Sequence, residues 1–210
     1  HHRRLGRAAP HVPQQGKGHL DEIVTGARLL QPAPGGASPD TASDAVPGEP
    51  ELLLIRRAEV DGDPWSGHVA FPGGRMDKED AHGFAVAVRE TEEEIGLTLG
   101  PQDQCIGRLS DINARPHKGA FGMAVTPFVF RLEREVEFTP NHEVAEVVWV
   151  PLEFLLDTDN REEMVWEFKG AKIPMPCYFY GKRRIWGLSL MMLDELMDLV
   201  EGKNPRRGLR

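Results

Sequence analysis

Apolar and polar positions along this chain alternate with two periods, and the changes between them mark the elements. Ile23 to Leu30 reads as a first strand. Residues 32–50 are rich in Pro, Gly, Ser and Asp and read as a long loop within one domain. From Glu51 the pattern sharpens: Leu52-Leu53-Leu54-Ile55 is a short buried strand, and His68 to Phe71 a brief one entering Gly73-Gly74. Between Phe84 and Ile95 the period lengthens to that of a helix, with Phe84, Val88, Thr91 and Ile95 on one stripe and Gly96 placed to stop it. Asp77 and Asp80, at its start, suit the positive end and are candidates to cap it. Cys105 to Leu109, Ala124 to Leu132 and Val147 to Val150 are strand-like, and Pro127 implies an edge or a bulge. Trp186 to Val200 is a second long helix with Leu190, Leu193, Met197 and Val200 inward. Its Met- and Leu-rich face suits either the core or the seam of a homodimer. Strands around two helices without regular βαβ alternation predict an α+β fold, an α/β/α sandwich.

Composition narrows the setting. The 210 residues fit one domain, taken as 21–205, behind a polar arm at 1–20 whose basic opening is given no functional weight. A net charge of -8 argues against a general nucleic-acid binder, so an anionic substrate must be met by local cations. Cys105 and Cys177 are the two cysteines, too few and too far apart for a zinc site or a disulfide framework, and a reducing cytoplasm is the expectation. No apolar run reaches the length of a membrane span.

The chemistry concentrates on the predicted helix between Phe84 and Ile95. Glu90, Glu93 and Glu94 share an arc of ~100°, since residues three and four apart are neighbours. Like charges at this spacing cost ~0.2–0.5 kcal/mol per pair. They also lie at the end of the helix that disfavours anions. A compensating cation is implied, and ligands made only of oxygen suit Mg²⁺ or Mn²⁺. Gly73-Gly74 lets backbone approach closely, so the Gly73 carbonyl can join the metal shell.

With these residues in view, the segment Phe71–Leu97 resembles the Nudix box, the signature of hydrolases that cleave nucleoside diphosphates linked to another moiety. Gly74, Arg89, Glu90, Glu93, Glu94, Gly96 and Leu97 match its pattern. Asp80 holds the acidic position one residue further from Arg89 than is common, and Thr91 stands where an aliphatic residue is usual. The longer spacing, Asp77, Asp80, the run Gly67 to Gly74 and the later Arg184-Ile185-Trp186-Gly187 resemble the coenzyme A pyrophosphatase branch. The resemblance covers roughly residues 51–200. It implies a mixed β-sheet between helices and a metal-dependent hydrolase acting on a small nucleotide. In that branch the products are adenosine 3',5'-bisphosphate and 4'-phosphopantetheine. The branch has a basic residue and a histidine upstream of the glycine turn, where this chain has Asp61 to His68. ADP-ribose, NDP-sugars, dinucleoside polyphosphates and oxidised nucleotides therefore stay open as substrates. A non-catalytic ligand-sensing module is the reading from another class, and the presence of all three box glutamates argues against it.

Further roles attach to single residues. Glu90, Glu93 and Glu94 are expected to hold metal, and Arg89 to pair with a box glutamate and fix its rotamer. In Nudix hydrolases an acidic residue ahead of the later strand often reaches back to the metal. Glu143 stands in that place, and an ordinary loop carboxylate is the competing reading. Glu162 and Glu163, expected in a loop, are alternative acids or bases. Arg56, Arg57, Arg115, His117 and Lys118 are the candidate phosphate partners, against a plain solubility role for each. Tyr178 or Tyr180 is placed to stack on adenine, although packing around Trp186 is preferred.

Overall fold

The computed structural model describes residues 22–25, 29–32, 49–63, 65–114 and 123–203. The arm at 1–20, most of the loop at 32–50 and the candidates Arg115, His117 and Lys118 lie outside these residues.

Four consecutive apolar side chains in strand β3 (Pro50–Arg57) are almost fully buried, Leu52, Leu53, Leu54 and Ile55. A strand sends alternate side chains to opposite faces, so such a run requires cover on both. Leu53 and Ile55 pack with Ile95, Leu97, Phe130, Leu132 and Val144. Leu52 and Leu54 pack on the other face with Val148, Val150, Ile185, Leu190 and Leu193. The first group includes the end of helix α1 (Gly83–Ile95), the second the inner side of helix α3 (Gly187–Val200). The result is an α+β fold with helices flanking a mixed sheet.

That sheet has nine strands among the described residues. Its path runs from β4 (Val69–Ala70) through β3, β2 (Leu29–Pro32), β8 (Met123–Arg131) and β1 (Glu22–Thr25) to β5 (Gly73–Arg75), with β9 (Val144–Pro151) on β3. The expected first strand is thus two strands, β1 and β2, each parallel to β8. Pro127 lies inside β8 and not at an edge. It falls where the antiparallel partners change from β7 (Ile112–Ala114) to β6 (Gln104–Arg108), and its carbonyl accepts from Leu109 N–H at 2.9 Å. An interruption between partner strands tolerates a residue with no N–H. Helix α2 (Leu152–Leu156) follows β9, and a separate antiparallel sheet joins β10 (Arg161–Phe168), β11 (Ala171–Tyr180) and β12 (Arg183–Trp186). Glu162 and Glu163 are exposed strand residues of β10, not loop residues.

Helix α1 departs from the expected stripe. Its buried positions are Val86, Ala87, Thr91, Glu94 and Ile95, while Phe84 is 37% exposed and rests its ring on Phe128 and Phe130. The helix also packs against β5 and β1, so its covered arc turns toward the glycines and takes Glu94 inside. An apolar stripe cannot reveal a carboxylate on the packed side. Thr91 replaces the usual aliphatic residue without leaving a bare hydroxyl, because its Oγ1 donates to the Ala87 carbonyl at 2.7 Å. The cap is His82, whose Nδ1 accepts from Ala85 N–H at 3.1 Å, and not Asp77 or Asp80. In α3, Leu190, Leu193 and Met197 are buried as expected, but Val200, in the last turn, is 45% exposed.

Candidate active site

The site is assembled where α1 meets β5. Gly73 N–H donates to Glu94 Oε2 at 2.8 Å, and a Cβ at Gly74 would overlap the Glu90 carboxylate. Glycine is required at 74 so that Glu90 can lie against the strand.

The end of α1 positions the next acidic residue. Gly96 takes the left-handed conformation (φ 71°), where a non-glycine residue is strained. The chain then returns, so that Thr139 N–H donates to the Ile95 carbonyl at 2.8 Å and Asn141 N–H to the Glu94 carbonyl at 2.9 Å. Two carbonyls that a helix end leaves bare are thereby satisfied. The Asn141 side chain accepts from Glu143 N–H at 2.8 Å, and the Glu143 carbonyl accepts from Ala58 N–H at 2.7 Å. Glu143 is exposed, and its charge acts on both Glu90 and Glu94.

Burial raises the affinity of Glu94 for its proton, against the hydrogen bond from Gly73; the charges of Glu90 and Glu143 add to the rise and Arg57 opposes it, and the outcome is a pKa of about 7. Glu90 is also raised, first by burial, then against the pull of Arg89 and with the push of Glu93 and Glu143. Such carboxylates are held by the fold in a place that disfavours their charge.

The three box glutamates do not converge. Arg89 Nη1 pairs with Glu90 at 2.9 Å and with Glu93 at 3.0 Å, while Glu94 turns to Gly73. Among the described residues no group of three His, Cys, Asp or Glu side chains is disposed to hold a metal ion. The compensating cation next to Glu90 and Glu93 is therefore Arg89, within reach of both as their helix neighbour. Arg89 is fixed further by Asp80, at 2.9 and 3.2 Å, and by the Arg75 carbonyl at 3.1 Å. Sequence reasoning had set Asp80 at the helix start; its partner is ten positions along the chain counting both ends, and only the turn between β5 and α1 brings them together. The donor set nonetheless fits a hard divalent cation. Glu94 is buried and Glu90 half-buried, desolvation raises the proton affinity of both, Glu143 acts on both by its charge, and all their donor atoms are oxygens.

The other candidates separate. Arg57 Nη2 pairs with Asp63 at 3.2 Å, its Nε is buried without a hydrogen-bond partner, and its charge acts on Glu94. Arg56, next along β3, points to the opposite face and pairs with Glu146 and Glu59, each at 3.6 Å. Tyr178 is buried, with its hydroxyl donating to the Leu155 carbonyl at 2.9 Å, and Tyr180 is half-buried against Phe154 with ring centroids 5.1 Å apart. Sequence reasoning missed Arg183, whose guanidinium closes on Glu146 from β12. The signal available was the basic run Lys182-Arg183-Arg184.

Comparison with known proteins agrees with this arrangement. The family model described as NUDIX domain matches residues 42–167. The chain is 32% identical over 154 residues to an uncharacterized Nudix hydrolase NudL of Photorhabdus laumondii, covering 73% of this chain and 79% of that protein. It is 30% identical over 196 residues to a NudL of Yersinia enterocolitica, covering 90% of this chain and 96% of that one. In structure it is similar to a MutT/nudix family protein from Enterococcus faecalis, with a TM-score of 0.51 and 17% identity over 91% of this chain and 66% of that chain, a likeness of fold alone. With the box residues ranged along α1 against the Gly73-Gly74 strand, the chain belongs to the Nudix family and is a pyrophosphohydrolase acting on a nucleoside diphosphate linked to another moiety.

Proposed function

We propose that this chain hydrolyses the pyrophosphate bond of coenzyme A or a derivative of it, releasing adenosine 3',5'-bisphosphate and 4'-phosphopantetheine. The observation that carries the hydrolytic part is the group of Glu90, Glu94 and Glu143 around the glycine strand, with Glu94 buried, Glu90 half-buried and both desolvated. The coenzyme A part is supported by the resemblance of Gly67 to Gly74, Asp77, Asp80 and Arg184 to Gly187 to that branch.

Members of the family commonly use divalent metals. Here Glu90, Glu93, Glu94 and the Gly73 carbonyl are the groups that would hold Mg²⁺ or Mn²⁺, which neutralises phosphate oxygens and acidifies water when bound. Glu143 is the group best placed to take the proton of the attacking water, being exposed yet close enough to influence both Glu90 and Glu94; Glu90 is the alternative. Arg57, whose charge acts on Glu94 from the end of β3, is assigned with Arg56 and Arg115 to substrate phosphates. Arg89 acts through Glu90 and Glu93 by fixing their rotamers. Tyr180, packed on Phe154, is left with a role at the edge of the adenine site.

The test is product analysis by mass spectrometry after incubation of the purified chain with coenzyme A, ADP-ribose and a dinucleoside tetraphosphate, with Mg²⁺ or with EDTA. Coenzyme A should split into the two named products only with metal. Cleavage of the others with coenzyme A untouched would move the assignment elsewhere in the family. Tight binding with no turnover of any member would favour a sensing module.

A further inference from the structure

A second cluster of cations lies on the far face of β3. A cavity of about 240 Å³ is lined by Arg56, Gly67, His68, Phe179, Lys182, Arg183, Arg184 and Trp186. In a chain with net charge -8, four arginine and lysine side chains around one cavity are an outlier. Arg183 and Arg56 share Glu146, with Arg183 Nε at 3.0 Å and Arg56 Nε at 3.6 Å from its Oε2, and that carboxyl is held below its ordinary range by Arg183 first. Lys182 and Arg184 form no ion pair among the described residues, and Arg184 lies over the Trp186 ring at 5.3 Å. Phe179, 38% exposed, leaves an open aromatic face at the rim. Helix α3 begins at Gly187, directly after Trp186, with no side-chain cap, so its positive end adds to the local field. Uncompensated cations beside aromatic rings are the chemistry that receives a phosphorylated nucleoside.

We propose that this cavity is a subsite for a phosphate monoester on the nucleoside half of the substrate, separate from the pyrophosphate site on α1, with Lys182 and Arg184 as its cations. The proposal rests on the coenzyme A reading, since that molecule carries a ribose 3'-phosphate beyond its pyrophosphate. Position supports it. Arg56 lines the cavity and Arg57, the next residue, acts on Glu94, so the two sites meet at the end of one strand. Gly67 and His68 of the cavity lead through β4 to Gly73, and Arg57 N–H donates to the His68 carbonyl at 2.9 Å. The acidic stretch upstream does not oppose an anion here. Asp63 is engaged by Arg57 at 3.2 Å and by Trp65 N–H at 3.0 Å. The basic groups that the branch places upstream are supplied instead by the hairpin between β11 and β12.

The test uses the full chain and the double variant Lys182→Gln/Arg184→Gln. Both side chains are exposed, so thermal melting should be unchanged. Calorimetry in EDTA should give wild-type binding of adenosine 3',5'-bisphosphate at least about tenfold tighter than of AMP, with that gap lost in the variant. With Mg²⁺, the variant should lose about tenfold in kcat/KM on coenzyme A through KM, with dephospho-coenzyme A little affected. Equal wild-type affinity for the two nucleotides, or a gap retained by the variant, would overturn the subsite. If the nucleotide gap is present and lost as expected but coenzyme A is not cleaved, the subsite stands and the substrate reading falls. Cleavage of coenzyme A with a preference over the dephospho form that the variant keeps has the opposite meaning.

Discussion

Replacing Glu94 with glutamine separates the roles of burial and of charge at the site. Glu94 is 3% exposed, accepts one hydrogen bond, from Gly73, and has its pKa raised to about 7. Its ordinary value is 4.5. Below pH 4.5 the carboxyl is protonated whether the chain is folded or not, and burial costs nothing through this group. Between 4.5 and about 7 the unfolded chain ionises and the folded one does not, so stability falls as pH rises, and above 7 the loss is constant. Each pKa unit corresponds to 1.36 kcal/mol, which puts the full loss at about 3 kcal/mol in metal-free protein. Glutamine keeps an acceptor for Gly73 N–H but buries an amide that lacks an acceptor, at about 1 kcal/mol. The variant should then be more stable than wild type by about 2 kcal/mol at pH 8, a rise in Tm of about 4–8 °C for a chain of this size. At pH 5 the advantage should vanish or reverse. Thermal denaturation in EDTA across pH 5–8 measures this directly. With Mg²⁺ and substrate, the same variant should lose at least about 100-fold in kcat, since a neutral amide is a poor ligand for a hard cation. A stability difference that does not change with pH would refute the burial argument. Near-normal turnover would refute the assignment of Glu94 to metal.

Other substitutions probe neighbouring parts. Gly74→Ala puts a methyl where the Glu90 carboxylate lies, so Glu90 must swing away; circular dichroism should show an intact fold and kinetics at least a tenfold loss. Arg89→Lys keeps the charge but not the fork that holds Asp80, Glu90 and Glu93 together, and a 10–100-fold fall in kcat/KM is expected on the scale of lost support to metal ligands, ~10–100-fold. Tyr178→Phe removes a hydroxyl donating to the Leu155 carbonyl and should cost about 1 kcal/mol in denaturant unfolding with kinetics unchanged, as a packing residue requires. Leu53→Ala opens the core under α1 and should cost about 2–5 kcal/mol in the same measurement.

Local chemistry made several features legible before any coordinates. The four-residue run at Leu52 needed cover on both faces and received it from α1 and α3. The Gly96 stop followed from the left-handed cap that glycine favours. Other features depended on partners distant in sequence. Pro127 is internal because β8 changes partners beside it, and Val200 is exposed although it follows the inner stripe of α3. Glu162 and Glu163 belong to a strand because β11 pairs with them, and Asp80 leaves the helix start for Arg89.

By itself the sequence determined which charged residues share one helix. Spacing along one helix places Arg89, Glu90, Glu93 and Glu94, since a 3.6-residue period leaves no freedom in which positions adjoin. It also determined the glycine turn and the double-faced strand. The tertiary structure decided which carboxylates are buried, because burial depends on the β5 and β1 strands packed on that helix and not on the helix itself. It decided that Arg89 and not the helix arc governs where Glu90 and Glu93 point, and that Glu143 is tied to the helix end through Asn141. It alone gathered Arg56, His68 and the Lys182–Arg184 hairpin around one cavity, since charges more than a hundred residues apart become neighbours only when the sheets close.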